Sequence, residues 1–408
     1  MADKFILGEN YEVTDDTTIT QLNNNIVVVG PSGCGKTMSY AEMRLLKTES
    51  SSMIVMLSKR KLVKKYTEYL SQKGFSVLDL DLTHPTKNSI CYDPLHYIKT
   101  TVDITYIAQA IVMSNPQKIT NKEADPFWDD AAESLLSALI AYTMHIKTLP
   151  SFADVVNLIS KLQIKECGDA IETNLDNTFN RLGESQLEVF AKQCWKTFRY
   201  APLRTASCIY VSLNATIDTI FSPELLSSMR TAECINFRQL ANEKTVLFIT
   251  TSAVNPSLNA FAALFFSHSV KELFEYAESI DNSVLPIPVH LLCDDFAAGA
   301  RIPNFDHFIS IFREKGISTS ILLQSESQLI AMYGDAAATT IINNCDRYLY
   351  MGGMDLTTCK NIAEKINCPL SDILYLPLKQ EYIFERGRKP VRTERWHITK
   401  NPSWQSLQ

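Results

Sequence analysis

Residues 25–37 read NIVVVGPSGCGKT, and this stretch decides the fold. Four consecutive β-branched residues, Ile26–Val29, form a run suited to a strand buried on both faces. The run ends in Gly30-Pro31-Ser32-Gly33-Cys34-Gly35-Lys36-Thr37, which fits G-x-x-x-x-G-K-[ST]. The following MSYAEMRLL has helical spacing. Glycines let backbone N–H groups converge on phosphate oxygens, and the helix turns its positive end toward the same anion. In such a loop Lys36 reaches the terminal phosphates and the Thr37 hydroxyl serves Mg²⁺, so the pattern predicts an ATP and Mg²⁺ site.

The second half of such a site is an apolar strand ending in acid. Residues 289–295, VHLLCDD, supply it. Asp294 is placed to hold the metal and Asp295 to polarise the attacking water. The alternative for one Asp-Asp pair is an acidic turn after a buried strand.

Outward from these two segments, short β-rich runs recur at Met53–Leu57, Ser76–Leu80, Thr245–Thr250, Ser318–Leu323 and Tyr348–Met351, with helical patterns between them. That alternation predicts an α/β fold on a mainly parallel sheet. From about residue 98 to 200 the β-rich runs nearly stop. FWDDAAESLLSALIAYTMHI (127–146) has 3.6-residue spacing, Ser151 can cap a helix over Phe152–Leu162, and Glu166–Glu172 and Glu184–Phe198 also read as helical. The expected organisation is a nucleotide-binding domain over 1–99 and 201–408 with an all-α insertion over 100–200. The tail Glu381–His397 reads as a β-hairpin, and Arg386, Arg388, Lys389, Arg392 and Arg395 make it strongly basic.

Composition narrows the classes. Of 408 residues, 46% are hydrophobic and 21% charged, enough for two or three folded domains and too apolar for a disordered chain. With 39 basic and 45 acidic residues the net charge is −6, which excludes a uniformly basic nucleic-acid coat but leaves room for a local basic groove. Lys59, Arg60, Lys61, Lys64 and Lys65 form such a face, suited to phosphate or nucleic acid, or else simply solvated. The ten cysteines form no CxxC pair and have no zinc-ligand spacing with histidine; they read as thiols in a reducing compartment. No HExxH or G-x-S-x-G is present, which removes zinc hydrolases and serine hydrolases of that type. The N-terminal MADKFILGEN has no signal-peptide pattern, and no apolar stretch is long enough to span a bilayer.

Several segments carry a family resemblance: LLCDDFAAGARIPNF (291–305), FREKG (312–316), LLQSESQL (322–329) and NCDRYLYMGG (344–353). NNNIVVVGPSGCGKT, FWDDAAESLLSALIAY, RTASCIYVSLNATI (204–217), KTVLFITT (244–251) and HITKNPSW (397–404) extend it over nearly the whole chain. Together they resemble type IV secretion coupling ATPases, the TraG/TraD-like conjugative coupling proteins, in variants from Gram-positive elements. The resemblance implies a RecA-like P-loop NTPase. It implies an ATPase that assembles as a hexamer, receives a relaxase–DNA complex and feeds single- or double-stranded DNA to the secretion channel. By position, Arg313 matches an arginine proposed to reach a neighbour's nucleotide, and Gln324 a glutamine that senses the γ-phosphate.

Three departures stand beside it. Asp295 replaces the usual glutamate, LSKRKL (57–62) replaces a DPKGE-like motif, and the usual N-terminal membrane helices are not seen. These give slow hydrolysis as an expectation, and a cytoplasmic protein held at the membrane through partners. Two other functions fit the residues: a nucleotide-gated adaptor with little turnover, and a translocase of the FtsK/HerA type. FAAGARIPNF and LLQSESQL disfavour the second.

Overall fold

The computed structural model describes residues 3–114, 126–167, 170–252, 255–296 and 301–407. The chain divides into two compact units, one built from 1–81, 236–254 and 269–408, the other from 82–235 and 255–268.

The first unit is organised on a nine-stranded sheet. Its strands are β1 (Ile26–Val29), β2 (Ser52–Leu57), β3 (Ser76–Asp81), β4 (Thr245–Thr250), β5 (Val289–Cys293), β6 (Ile317–Leu323), β7 (Arg347–Tyr350), β8 (Gln380–Glu385) and β9 (Val391–Glu394). Their order across the sheet is β9-β8-β7-β1-β6-β5-β2-β4-β3. The strands from β7 to β3 are parallel, and β8 and β9 add an antiparallel hairpin at one edge. This is the α/β architecture, with the C-terminal hairpin, that the sequence predicts.

The centre of the sheet is apolar because both faces are covered. Every residue of β1, β2, β4 and β5 is buried, the near-continuous hydrophobic pattern that parallel strands require. In register, Val29 lies opposite Leu323 and Tyr350, and Cys293 opposite Ile321 and Met56. The segments that follow these strands therefore emerge together at the carboxyl edge, where ligands of open α/β sheets bind. A separate strand pair, Lys4–Gly8 with Tyr11–Thr14, adds Phe5, Leu7 and Val13 to the core.

The second unit contains residues 100–200 and is mainly helical, with Thr101–Met113, Pro126–Ile146, Phe152–Ser160, Gln186–Arg199 and Leu203–Ile220 as its longest helices. Ser151 caps Phe152–Ser160 as expected, with Asp154 completing the capping box. One expectation fails. The described residues of the expected helix, 166–167 and 170–172, belong to an antiparallel strand pair, Ile164–Cys167 with Ala170–Thr173; the other two lie outside the described residues. The Asn174 side chain accepts from the Gln163 N–H at 2.9 Å and closes the pair's open end. Seven residues are too few to nucleate a helix against that competing tie. Ile90–Cys91 and Glu233–Cys234 form a second short pair, so this unit is not wholly helical.

All ten cysteines are free thiols. Among the described residues no helix is long and apolar enough to cross a membrane.

Candidate nucleotide-binding site

The loop from Gly30 to Thr37 leaves β1 at the carboxyl edge and runs into helical backbone at Thr37, which opens as a π-turn to Ala41 and continues as Glu42–Lys47. Two of its glycines are needed for backbone shape: Gly33 has φ +77° and Gly35 φ +98°. Gly30 is needed for space, since a Cβ there would lie 2.7 Å from Cys34 Sγ and 2.8 Å from Met351 Cβ. Pro31, Ser32 and Gly33 form the exposed tip.

Lys36 is buried and turned back on this loop. Its Nζ donates to the Gly30 carbonyl at 2.5 Å and to the Pro31 carbonyl at 3.2 Å. Thr37 Oγ1 donates to Asp294 Oδ2 at 2.8 Å. The two motifs, 257 residues apart, thus meet through the pair of side chains expected to share a cation. Asp294 is 8% exposed, and its other oxygen, Oδ1, has no hydrogen-bond partner. Burial, reinforced by the neighbouring Asp295 charge, pushes its carboxyl up to about 6, against the lowering effect of the Thr37 hydrogen bond. An unpartnered buried carboxylate oxygen beside a threonine hydroxyl is a hard-oxygen donor set that fits Mg²⁺ completed by phosphate and water. Among the described residues no group of three or more His, Cys, Asp or Glu could hold a metal by itself.

Asp295 sits in the left-handed region at φ +55°, and Ser58 Oγ donates to its Oδ2 at 3.4 Å. The two acids have different partners: Asp294 meets Thr37, and Asp295 meets Ser58 just after β2. Gln324 is exposed immediately after β6, and the Gly30 N–H donates to the Leu323 carbonyl at 3.1 Å, which places Gln324 beside the start of the loop. Arg313 is not brought to this site. It lies exposed in the last turn of the helix Phe305–Lys315, ahead of β6, so the length of that strand, about 20 Å, separates it from the loop.

The C-terminal segment adds contacts that the motifs do not signal. Arg395 donates through Nη1 to the Cys34 carbonyl at 2.6 Å, and through Nη2 to the carbonyls of Met351 and, at 3.2 Å, Gln380. Trp404 Nε1 donates to Glu42 Oε2 at 2.8 Å, an oxygen that also accepts from Tyr66 and Lys65. The sequence marks Arg395 only as one charge in a basic tail. In that tail Arg386 pairs with Asp346, Arg388 with Glu385, and Arg392 with the Gln380 side chain.

A model of the family described as type IV secretory system conjugative DNA transfer matches residues 2–367. The chain belongs to this family. A comparison with curated protein sequences found no match. Among solved structures, the plasmid coupling protein TrwB in complex with the non-hydrolysable ATP analogue ADPNP is similar at a TM-score of 0.70 and 16% identity, covering 92% of this chain and 85% of that one. TrwB in complex with ADP and Mg²⁺ gives 0.68 at 17% identity, with 92% and 85% covered. VirB4 of Thermoanaerobacter pseudethanolicus gives 0.61 at 11% identity, with 98% and 97% covered. These likenesses are likenesses of fold, and they agree with the RecA-like α/β architecture of this conjugative-transfer protein.

Proposed function

We propose that the chain binds and hydrolyses ATP with Mg²⁺, and that turnover couples a relaxase–DNA substrate to a type IV secretion channel during conjugative transfer. The observation that carries this reading is the Thr37–Asp294 contact beneath the phosphate loop. Family membership supports the conjugative setting. The nucleotide in the TrwB complexes supports the choice of ATP.

In this reading the N–H groups of Gly33, Cys34, Gly35, Lys36 and Thr37 face the phosphates. Lys36 exchanges the Gly30 and Pro31 carbonyls for phosphate oxygens, a favourable trade for an ammonium because the new partners are charged. Thr37 and Asp294 hold Mg²⁺, which supplies charge neutralisation on the transferred phosphoryl group. Asp295 orients the attacking water and takes its proton, held by the left-handed turn and Ser58. Gln324 reads the terminal phosphate from the end of β6. Arg313, too far to serve its own loop, acts on a neighbouring subunit's nucleotide in a hexamer. The protein works at the cytoplasmic face of the membrane with relaxosome and channel partners.

The test is ATPase rate and oligomer size, measured with and without DNA. Hydrolysis that rises with DNA and is abolished by Lys36→Ala is expected. A purified oligomer with no turnover under either condition would count against the motor.

One observation favours a second reading, a nucleotide-gated adaptor with little turnover. Asp295 carries a shorter carboxylate than the family's glutamate, and misplacement by about 1 Å can cost on the order of 10²-fold in rate. Asp295→Glu separates the two: a large rise in hydrolysis supports attenuation, and no change removes it. Relaxase capture in a pull-down separates the coupling role from a FtsK/HerA-type translocase.

A further inference from the structure

The five basic residues of 59–65 do not behave as one solvated face. Arg60 is bound to Asp79 at 2.5 Å and Asp81 at 3.0 Å, and Lys65 to Glu42 at 2.8 Å. These two charges are consumed by the fold. Lys59, Lys61 and Lys64 are exposed and, among the described residues, make no ion pair. They are not scattered, because all three line one cavity of about 680 Å³, a size that suits a nucleotide-scale ligand. The same cavity is lined by Thr37, Asp294 and Asp295.

The charge arrangement is specific. Besides the Lys65–Glu42 ion pair, the cavity is lined by two further carboxylates, Asp294 and Asp295, and three further ammonium groups, and among the described residues no salt bridge joins these two sets. Both signs of charge are thus present in one cavity without an ion pair between Asp294 or Asp295 and the three lysines. Such a cavity is complementary to a cation bound at the carboxylates with an anion between it and the lysines. The buried Asp294 Oδ1, which lacks a partner, adds an independent sign of a missing ligand on the acidic side.

We propose that Lys59, Lys61 and Lys64 form a cationic rim supplied by the chain itself, which contacts the terminal phosphate of the bound nucleotide and makes the site prefer a triphosphate over a diphosphate. This rests on the nucleotide reading above and deepens it. It also gives the LSKRKL departure a role. Where the family's motif carries acid and glycine, this chain places cations that line one cavity with Thr37 and the acid pair. A lysine suits the task, as a mobile point charge that needs no bidentate geometry. DNA phosphates are the competing anion. The shared cavity with Thr37 and Asp294 favours the nucleotide.

The experiment measures ATP and ADP affinity, each with Mg²⁺, for the full chain, for the triple variant Lys59→Gln/Lys61→Gln/Lys64→Gln, for the corresponding triple Arg variant, and for Lys36→Ala. The buried face of the helix Lys61–Gln72 is Leu62, Val63, Tyr66 and Leu70, which all three rim variants leave intact. The triple Gln variant is expected to lose about tenfold in ATP affinity, more at low salt than high, with ADP affinity unchanged. The triple Arg variant keeps the preference. ATP affinity unchanged in the triple Gln protein, or ATP and ADP affinity lost equally, overturns the rim. If Lys36→Ala also binds both nucleotides normally, the underlying nucleotide reading fails instead.

Discussion

The Arg395 guanidinium donates to the carbonyl of Cys34, in the middle of the phosphate loop, at 2.6 Å. The same side chain bonds the carbonyls of Met351 and Gln380, so a single planar fork ties the loop to the end of β7 and the start of β8. Arg395→Ala leaves these carbonyls without their donor. A charged donor to a carbonyl contributes about 1.5–3 kcal/mol, so the variant is expected to lose roughly 2–4 kcal/mol of stability and about tenfold in nucleotide affinity. Arg395→Lys rescues little, because one ammonium cannot span the carbonyls. Urea unfolding and nucleotide titration check both.

Asp295 occupies a left-handed backbone conformation at φ +55°, which aspartate and asparagine tolerate better than longer residues. Asp295→Asn therefore keeps the turn and removes the carboxylate proposed as the base. Hydrolysis should fall by 10²-fold or more, on the order expected for a lost general base, with nucleotide affinity within about threefold of wild type. Asp295→Glu costs about 1 kcal/mol in the turn whatever it does to the rate. Single-turnover hydrolysis paired with thermal unfolding separates the two effects.

Asp294 is held up at about 6, above the usual carboxylate range, mainly by burial. A divalent ion needs the ionised form and displaces the proton, so Mg²⁺-dependent nucleotide binding should weaken as pH falls through about 6, approaching tenfold per unit below it. Nucleotide binding without Mg²⁺ should change far less over the same range. Because the folded pKa lies above the unfolded one, this carboxyl favours folding below about pH 4 and loses that contribution as pH rises through 6. Titrations at pH 5, 6 and 7.5 are sufficient.

Glu381, fully buried on β8, has neither oxygen hydrogen-bonded, and burial raises its carboxyl to about 8 despite the nearby Arg395 charge. The folded state therefore holds a proton that the unfolded chain releases near its ordinary value. The resulting stabilisation is complete at acidic pH and declines by about 1.4 kcal/mol per unit until it is gone above about pH 8. Glu381→Gln removes this slope. The variant's stability relative to wild type should improve by roughly 2–3 kcal/mol between pH 6 and pH 8.5, as read from urea unfolding.

His290 on β5 lies between Ser318 Oγ at 2.7 Å and Ser320 Oγ at 2.8 Å, and Ser320 also meets the Tyr40 hydroxyl at 2.5 Å. Burial holds the imidazole neutral. His290→Phe takes the imidazole partner from Ser318 and leaves Ser320 with Tyr40 alone, and should cost about 1–3 kcal/mol by unfolding.

What the sequence makes legible here is what is local. Ile26–Val29 and the eight residues after it announce strand, loop and helix in consecutive order, and VHLLCDD does the same for the acid pair. The contacts among Gly30, Leu323 and Met351 are not local and leave no pattern. Arg395 looks like any charge in a basic hairpin until its carbonyl partners are known. The helix expected over 166–172 fails for a related reason: Asn174 and Gln163, outside that window, decide the pairing. The basic residues of 59–65 read alike in sequence, and it is Asp79, Asp81 and Glu42 that tie Arg60 and Lys65 and leave the other three lysines exposed.

The order of strands across the sheet also bears on how the chain is made. Among the described residues the β1 strand, IVVV, pairs only with β6 and β7. At ribosomal rates of about 5–20 residues per second, the roughly 290 residues between Val29 and Leu323 take some 15–60 s to emerge. Throughout that interval the most apolar strand of the nucleotide site has no sheet neighbour. The nascent chain thus carries an early, sticky segment that must be shielded until its partners arrive, and the phosphate loop cannot take its final shape before translation is nearly complete.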